Sequence, residues 1–201
     1  MKNTDTQLVG GEMLSFEEVF GIWMDNEAVE VPGRNLLKVA QEKGFGTVRD
    51  WRMATALRLG MATKQWRIYA VTDPNGFLPN VLMGPYQGWQ QYMPNKLTAS
   101  FADALNVKVF YEWCKTHDRV QPLAKHFPLS TTVILYRLSD NRFLQIEGGH
   151  RMCAVAYRVH KGQPIQFPEN TVRAAVADIT DTEFQQLFVF LRQGTDKQKT
   201  P

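Results

Sequence analysis

The sequence predicts an α/β (α+β) protein in which a helical N-terminal region precedes a core of alternating strands and helices. Three observations carry this expectation. Up to about residue 60, apolar residues recur at helical spacing between capping residues. From residue 66 onward, short strand-like runs alternate with turn signals and further helical stripes. Hydrophobic residues are 44% and charged residues 21% of the 201, enough apolar material for a core. Residues 1–62 are therefore expected to pack as a helical region on a core of residues 63–193, with 194–201, GTDKQKTP, a disordered tail.

The elements follow in order. Ser15 and Glu18 form a capping box, and Phe16, Val19, Phe20 and Trp23 make one apolar helix face. A second helix runs from Asn35 to Lys43 and stops at Gly44. Thr47 caps a third, which ends at Gly60. Residues 66–71, WRIYAV, alternate as a strand and meet Asp73-Pro-Asn-Gly76, a turn signal. Residues 77–98, rich in proline, glycine and aromatics, read as ordered loop. Ser100 opens a helix to about His117, with Phe101, Leu105 and Trp113 facing inward. Residues 132–138, TVILYRL, form a β-branched strand that turns at Ser139-Asp-Asn141 into a second strand, residues 142–146. Met152, Val155, Ala156 and Val159 stripe the next helix, which ends near Gly162. A strand over 172–179 and a helix capped by Thr180 and Glu183, carrying Phe184, Leu187, Phe188 and Leu191, close the order.

Bulk properties narrow the function classes. The net charge of +3 accommodates a phosphate-bearing ligand but is too small to define a nucleic-acid binder. No apolar run reaches the roughly 20 residues of a membrane span, and the N-terminus carries no apolar leader, so no membrane partner is expected. Cys114 and Cys153 alone suggest reduced thiols and a cytoplasmic setting.

The most informative stretch is Glu147-Gly-Gly-His-Arg151, where a strand gives way to a helix. Glycines permit a tight turn or a close approach, and the first turn of a helix presents N–H groups that attract an anion. Arg151 supplies a planar fork for phosphate oxygens, and His150 a group that donates, accepts or changes charge near neutrality. Gly148, Gly149, His150 and Arg151 are thus the expected phosphate-binding residues. The catalytic candidates are His150 and Glu147, the latter as a Mg²⁺ ligand or a group orienting a hydroxyl. Because the apolar stripe from Met152 to Val159 does not include it, Arg151 is expected to be dispensable for folding.

With this turn and the order strand, helix, hairpin, turn, helix, glycine and strand, residues 66–180 resemble the ParB/sulfiredoxin superfamily. Members of that family place motifs such as DGxHR, GERR or GGCHR at the same point. The resemblance implies a mixed-sheet core and nucleotide handling: ATP or another nucleotide, with Mg²⁺, in phosphoryl transfer to a small molecule. Gly149 stands where a sulfiredoxin has its catalytic cysteine, which argues against thiol-based reductase chemistry. The alternative is a non-catalytic, DNA-associated regulatory or partition-like module using nucleotide as a switch, although no DNA-binding module is apparent after residue 180.

Other candidates have plainer readings. Lys125, His126, Arg137 and Arg142 read as solvated charges. Cys114 and His117 have a ligand-like spacing, but a structural zinc site would normally want four ligands and no second matched pair is apparent. Tyr86, Trp89 and Tyr92 suit a base-stacking platform or, better, the edge of a core. Residues 36–57 read as a helical hairpin packed on the core, with Arg49, Arg52 and Arg58 as the residues a helix-turn-helix would offer to DNA.

Overall fold

The computed structural model describes residues 7–30 and 35–193. Strand β1 (Leu8–Leu14) is followed by helices α1 (Phe16–Glu30), α2 (Leu36–Glu42) and α3 (Val48–Arg58). Strand β2 (Trp66–Val71) leads to three short helices, α4 (Pro74–Phe77), α5 (Gln87–Gln90) and α6 (Phe101–Ala104). Helices α7 (Lys108–Thr116) and α8 (Val120–Lys125) precede the hairpin β3 (Thr131–Arg137) and β4 (Phe143–Glu147). Helix α9 (Gly149–His160), strand β5 (Val172–Asp178) and helix α10 (Asp181–Gln193) complete the order.

The five strands form one mixed sheet in the order β1-β2-β5-β3-β4. Strand β3 pairs parallel with β5, and the other neighbours are antiparallel. Alternation along β3 explains why both faces are covered, since successive side chains point to opposite sides. Val133 and Leu135 join Phe101, Phe110 and Met152 on one face. Ile134 and Tyr136 join Val19, Phe20, Trp23 and Leu187 on the other. Both Trp23 and Trp51 are buried, at 2% and 3% exposure, so the N-terminal helices belong to the packed structure.

Local capping sets the helix starts. The boxes Ser15–Glu18 and Ser100–Asp103 and the caps at Asn35 and Thr47 are all formed. Several elements differ from expectation. Residues 8–14 form an edge strand inside the region expected to be helical, because antiparallel pairing with β2 satisfies their backbone, with a bulge between Gly10 and Glu12. The helix expected from Ser100 to His117 is divided at residues 105–107 into α6 and α7, and the stretch 77–98, expected as ordered loop, contains α5. The tail expected at 194–201 lies outside the described residues.

The edge of β4 is also closed by chain that lacks a strand pattern. Leu82 donates to the Phe143 carbonyl at 2.7 Å and accepts from the Gln145 N–H at 2.9 Å. Gln145 itself turns its side-chain oxygen to the Gly84 N–H at 3.0 Å. The proline- and glycine-rich stretch therefore caps the β4 edge of the sheet through isolated bridges at Leu82.

Candidate functional site

Strand β4 ends at Glu147, and the chain turns through Gly148, in the left-handed region at φ 91°, directly into α9. A side chain on Gly148 would be strained by that φ and would lie 2.8 Å from Val133 Cγ1. At Gly149 a Cβ would lie 2.9 Å from Cζ2 of the Trp89 indole, so the residue there must be small. The close approach that Gly149 permits is thus made to a tryptophan ring of the same chain.

Arg151 turns inward. It is 2% exposed, and its Nη2 donates to both carboxylate oxygens of Glu147 at 2.7 Å. Its Nη1 donates to Asn26 Oδ1 at 3.1 Å, to the Thr131 hydroxyl and to the Thr132 carbonyl at 3.3 Å. Asn26 closes the ring by donating to Glu147 Oε2 at 2.7 Å and to the Thr132 carbonyl at 2.9 Å. A charge buried this deeply persists only when paired and hydrogen-bonded. Arg151 and Glu147 supply that pairing to each other, and Asn26 ties them to α1.

This geometry departs from the sequence expectation at two residues. Arg151 was expected to present a fork to phosphate, whereas its guanidinium faces Glu147, α1 and β3. Glu147 was expected to hold Mg²⁺ or orient a hydroxyl, whereas its oxygens accept from Arg151 and Asn26. Asn26 carries a signal of its own in the sequence: it follows Trp23 by three residues on the buried stripe of α1, where a polar side chain requires a partner.

His150 is the member of the motif that remains partly exposed. Its ring lies 5.0 Å from that of Trp89 and stacks on His117 at 5.1 Å between centroids, with 26° between planes. His117, at the end of α7, lies 4.0 Å from the Trp113 ring, and Trp113 meets Trp89 edge-on at 5.4 Å. His117 Nδ1 accepts the Arg119 N–H at 3.2 Å, so its neutral form carries the proton on Nε2. The Asp118 carboxylate lies 3.5 Å from the same nitrogen, but it is 90% exposed and that distance is too long for a competing hydrogen bond. Two imidazoles that can each donate N–H therefore face one another beside the first turn of α9.

The remaining candidates have other neighbours. Cys114 Sγ lies 3.2 Å from Cys153 Sγ, both thiols fully buried, and burial pushes the Cys153 thiol well up. Cys114 and His117, one turn apart at the end of α7, thus meet Cys153 and His150, one turn apart on α9. Tyr86 donates to the Ile146 carbonyl at 2.6 Å, and Trp89 is 9% exposed, so both act as core edge. Lys125 and His126 are exposed, Arg137 pairs with Asp178 at 2.6 Å, and Arg142 pairs with Asp140 at 2.7 Å. Arg52 packs over Trp51 at 3.8 Å and pairs with Glu27, while Arg49 lies over Phe20 at 5.0 Å. No helix among the described residues is long and apolar enough to cross a membrane. No family model, curated protein or solved structure matches the chain.

Proposed function

We propose that the first turn of α9 binds a phosphate-bearing small molecule, a nucleotide above all, in a ParB/sulfiredoxin-like fold. The observation that carries this reading is the imidazole pair. His150 is partly exposed at the helix N-terminus, and His117 stacks on it at 5.1 Å. Protonated together, the two rings repel each other, and an anion lying across them removes that cost. The helix N-terminus adds positive potential at the same place.

The motif residues divide the work. Gly148 and Gly149 bring the turn close to the sheet and to Trp89, and Glu147 and Arg151 hold the turn rigid from beneath. His150 is the residue positioned to contact the ligand. If the reaction is ATP-dependent phosphoryl transfer to a small-molecule hydroxyl, His150 takes the hydroxyl proton only in its neutral form, with the helix N-terminus and Mg²⁺ on the nucleotide phosphates then holding the anion.

The test is a thermal-shift screen against ATP, CTP, GTP and inorganic phosphate, with and without Mg²⁺, because a ligand selective for the folded state must raise its stability. Binding should appear as a rise in the unfolding temperature. It should fall in both His150→Ala and His117→Ala. Absence of any shift across the panel defeats the reading. Binding of duplex DNA with a steep salt dependence, lost in the Arg49→Ala/Arg52→Ala double variant, favours the DNA-associated module instead.

A further inference from the structure

The ligand-like spacing of Cys114 and His117 has its second pair on α9, written in the reverse order. Residues 150–153 read His-Arg-Met-Cys, inside the stretch that the GGHR turn opens. The end of α7 and the start of α9 pass antiparallel, so the two pairs meet as two rungs. Cys114 lies on Cys153 with 3.2 Å between sulfurs, and His117 lies on His150 with 5.1 Å between ring centroids. Both thiols are fully buried in the apolar cluster on that face of the sheet, and both histidines are partly exposed.

These separations suit tetrahedral zinc. With Zn–S bonds of about 2.3 Å, its two sulfurs stand about 3.8 Å apart, so the thiols need part by only about half an ångström. Two imidazoles bound through Nε2 at about 2.0 Å hold their ring centroids about 5 Å apart, which is the separation of His117 and His150. Among the described residues no three donors of this kind already converge as a metal centre, so the rungs must still close on each other. Side chains on a helix lean toward its N-terminus. His117 therefore leans over Cys114 on α7, and Cys153 leans toward His150 on α9. Rotation of the longer histidine side chains completes the approach from the solvent side.

We infer that Cys114, His117, His150 and Cys153 form a structural zinc site that ties α7 to α9. Two thiolates, two neutral imidazoles and Zn²⁺ sum to no net charge, which apolar surroundings tolerate, and closed zinc sites of this donor set are structural. A carboxylate stands ready behind one ligand. Zinc on Nε2 of His117 moves the ring proton to Nδ1, where Asp118 Oδ1, now 3.5 Å away, accepts it in exchange for the present Arg119 N–H contact. The inference does not rest on the nucleotide reading. Zinc on His150 leaves an anion the N–H groups of the first turn of α9 but not the imidazole pair.

Cobalt substitution tests it. Because the thiols are enclosed, the full chain is unfolded with chelator and reductant and then refolded with Co²⁺. One tetrahedral cobalt per chain is expected, with intense visible d–d bands and near-ultraviolet thiolate charge transfer, and Zn²⁺ should bleach both. Cys114→Ala/Cys153→Ala should lose the charge-transfer band, and His117→Ala/His150→Ala the tetrahedral bands. Asp118→Asn, at an exposed position, should weaken Zn²⁺ by about 10-fold in competition with a chromophoric chelator, with the cobalt band shape unchanged. Zinc binding displaces the thiol protons that burial retains on Cys153, so affinity should rise with pH. If the cysteine variant fails to fold, the histidine and Asp118 variants decide. Octahedral cobalt only, tetrahedral bands that survive the double histidine variant, or Zn²⁺ affinity unchanged in a folded double cysteine variant would each overturn the proposal. So would a Cys114–Cys153 disulfide in a chain that takes up no metal when reduced.

Discussion

Replacing Arg151 by alanine removes the guanidinium that donates to both oxygens of the Glu147 carboxylate, which is 7% exposed and loses its charged partner on α9. Removing one partner of a buried ion pair costs about 3–5 kcal/mol, because the survivor keeps its desolvation penalty and loses its compensation. Against a total stability of about 5–15 kcal/mol, that is a large fraction. With a urea slope of about 3 kcal/mol per molar, the unfolding midpoint should drop by about 1 to 1.7 M, followed by far-ultraviolet circular dichroism. Glu147→Gln should also destabilise, by leaving Arg151 with a neutral partner. The double variant Arg151→Met/Glu147→Met leaves no stranded charge and should recover much of the loss, giving a coupling energy of about 2 kcal/mol or more. A midpoint for Arg151→Ala within about 0.3 M of wild type, or strictly additive single variants, would refute the buried-pair account. Ligand affinity lost without any loss of stability would return Arg151 to the phosphate-binding role that its place in the motif suggested.

Three further outcomes are expected. Gly149→Ala places a methyl 2.9 Å from the Trp89 ring, which is itself packed against Phe101, Phe110 and Trp113; despite alanine's better helix propensity it should destabilise by about 1–2 kcal/mol and shift the tryptophan fluorescence. Burial raises the Cys153 thiol and both sulfurs are enclosed, so a thiol reagent at about pH 8 should label neither cysteine in the native protein and both after denaturation. Glu183 is held below the ordinary carboxylate range by hydrogen bonds from Lys64 and the Thr180 N–H; its stabilising contribution is full above the unfolded value and disappears as pH falls through the folded one. Lys64→Met should therefore move the Glu183 titration upward by NMR and shrink the stability lost on acidification below about pH 4.5.

How much of this was legible in the sequence depended on the range of the interactions. Helix starts were readable because their causes lie within four residues: Ser15 with Glu18, Thr47 with Asp50, Ser100 with Asp103 and Thr180 with Glu183. The strands β2, β3 and β5 were readable because period-two or continuous apolar runs bounded by turns have few other solutions. Gly148 at φ 91° was legible for the same local reason, since a strand that becomes a helix within one residue needs a left-handed position.

Tertiary structure decided what those local pieces were for. Residues 8–14, with two glycines and weak alternation, form a strand only because β2 offers an edge to pair with. The motif GGHR has the same local shape whether it meets a ligand or the protein's own side chains. Trp89, sixty residues earlier, determines what packs on Gly149, and Asn26, 125 residues before Arg151, helps draw the guanidinium inward. The stack of His150 on His117 likewise joins α9 to α7, from positions that no periodicity connects. A spacing rule reports which residues share a face of one element. Which element covers that face, and therefore which charges are desolvated and which reach solvent, is set by packing between segments far apart in the chain.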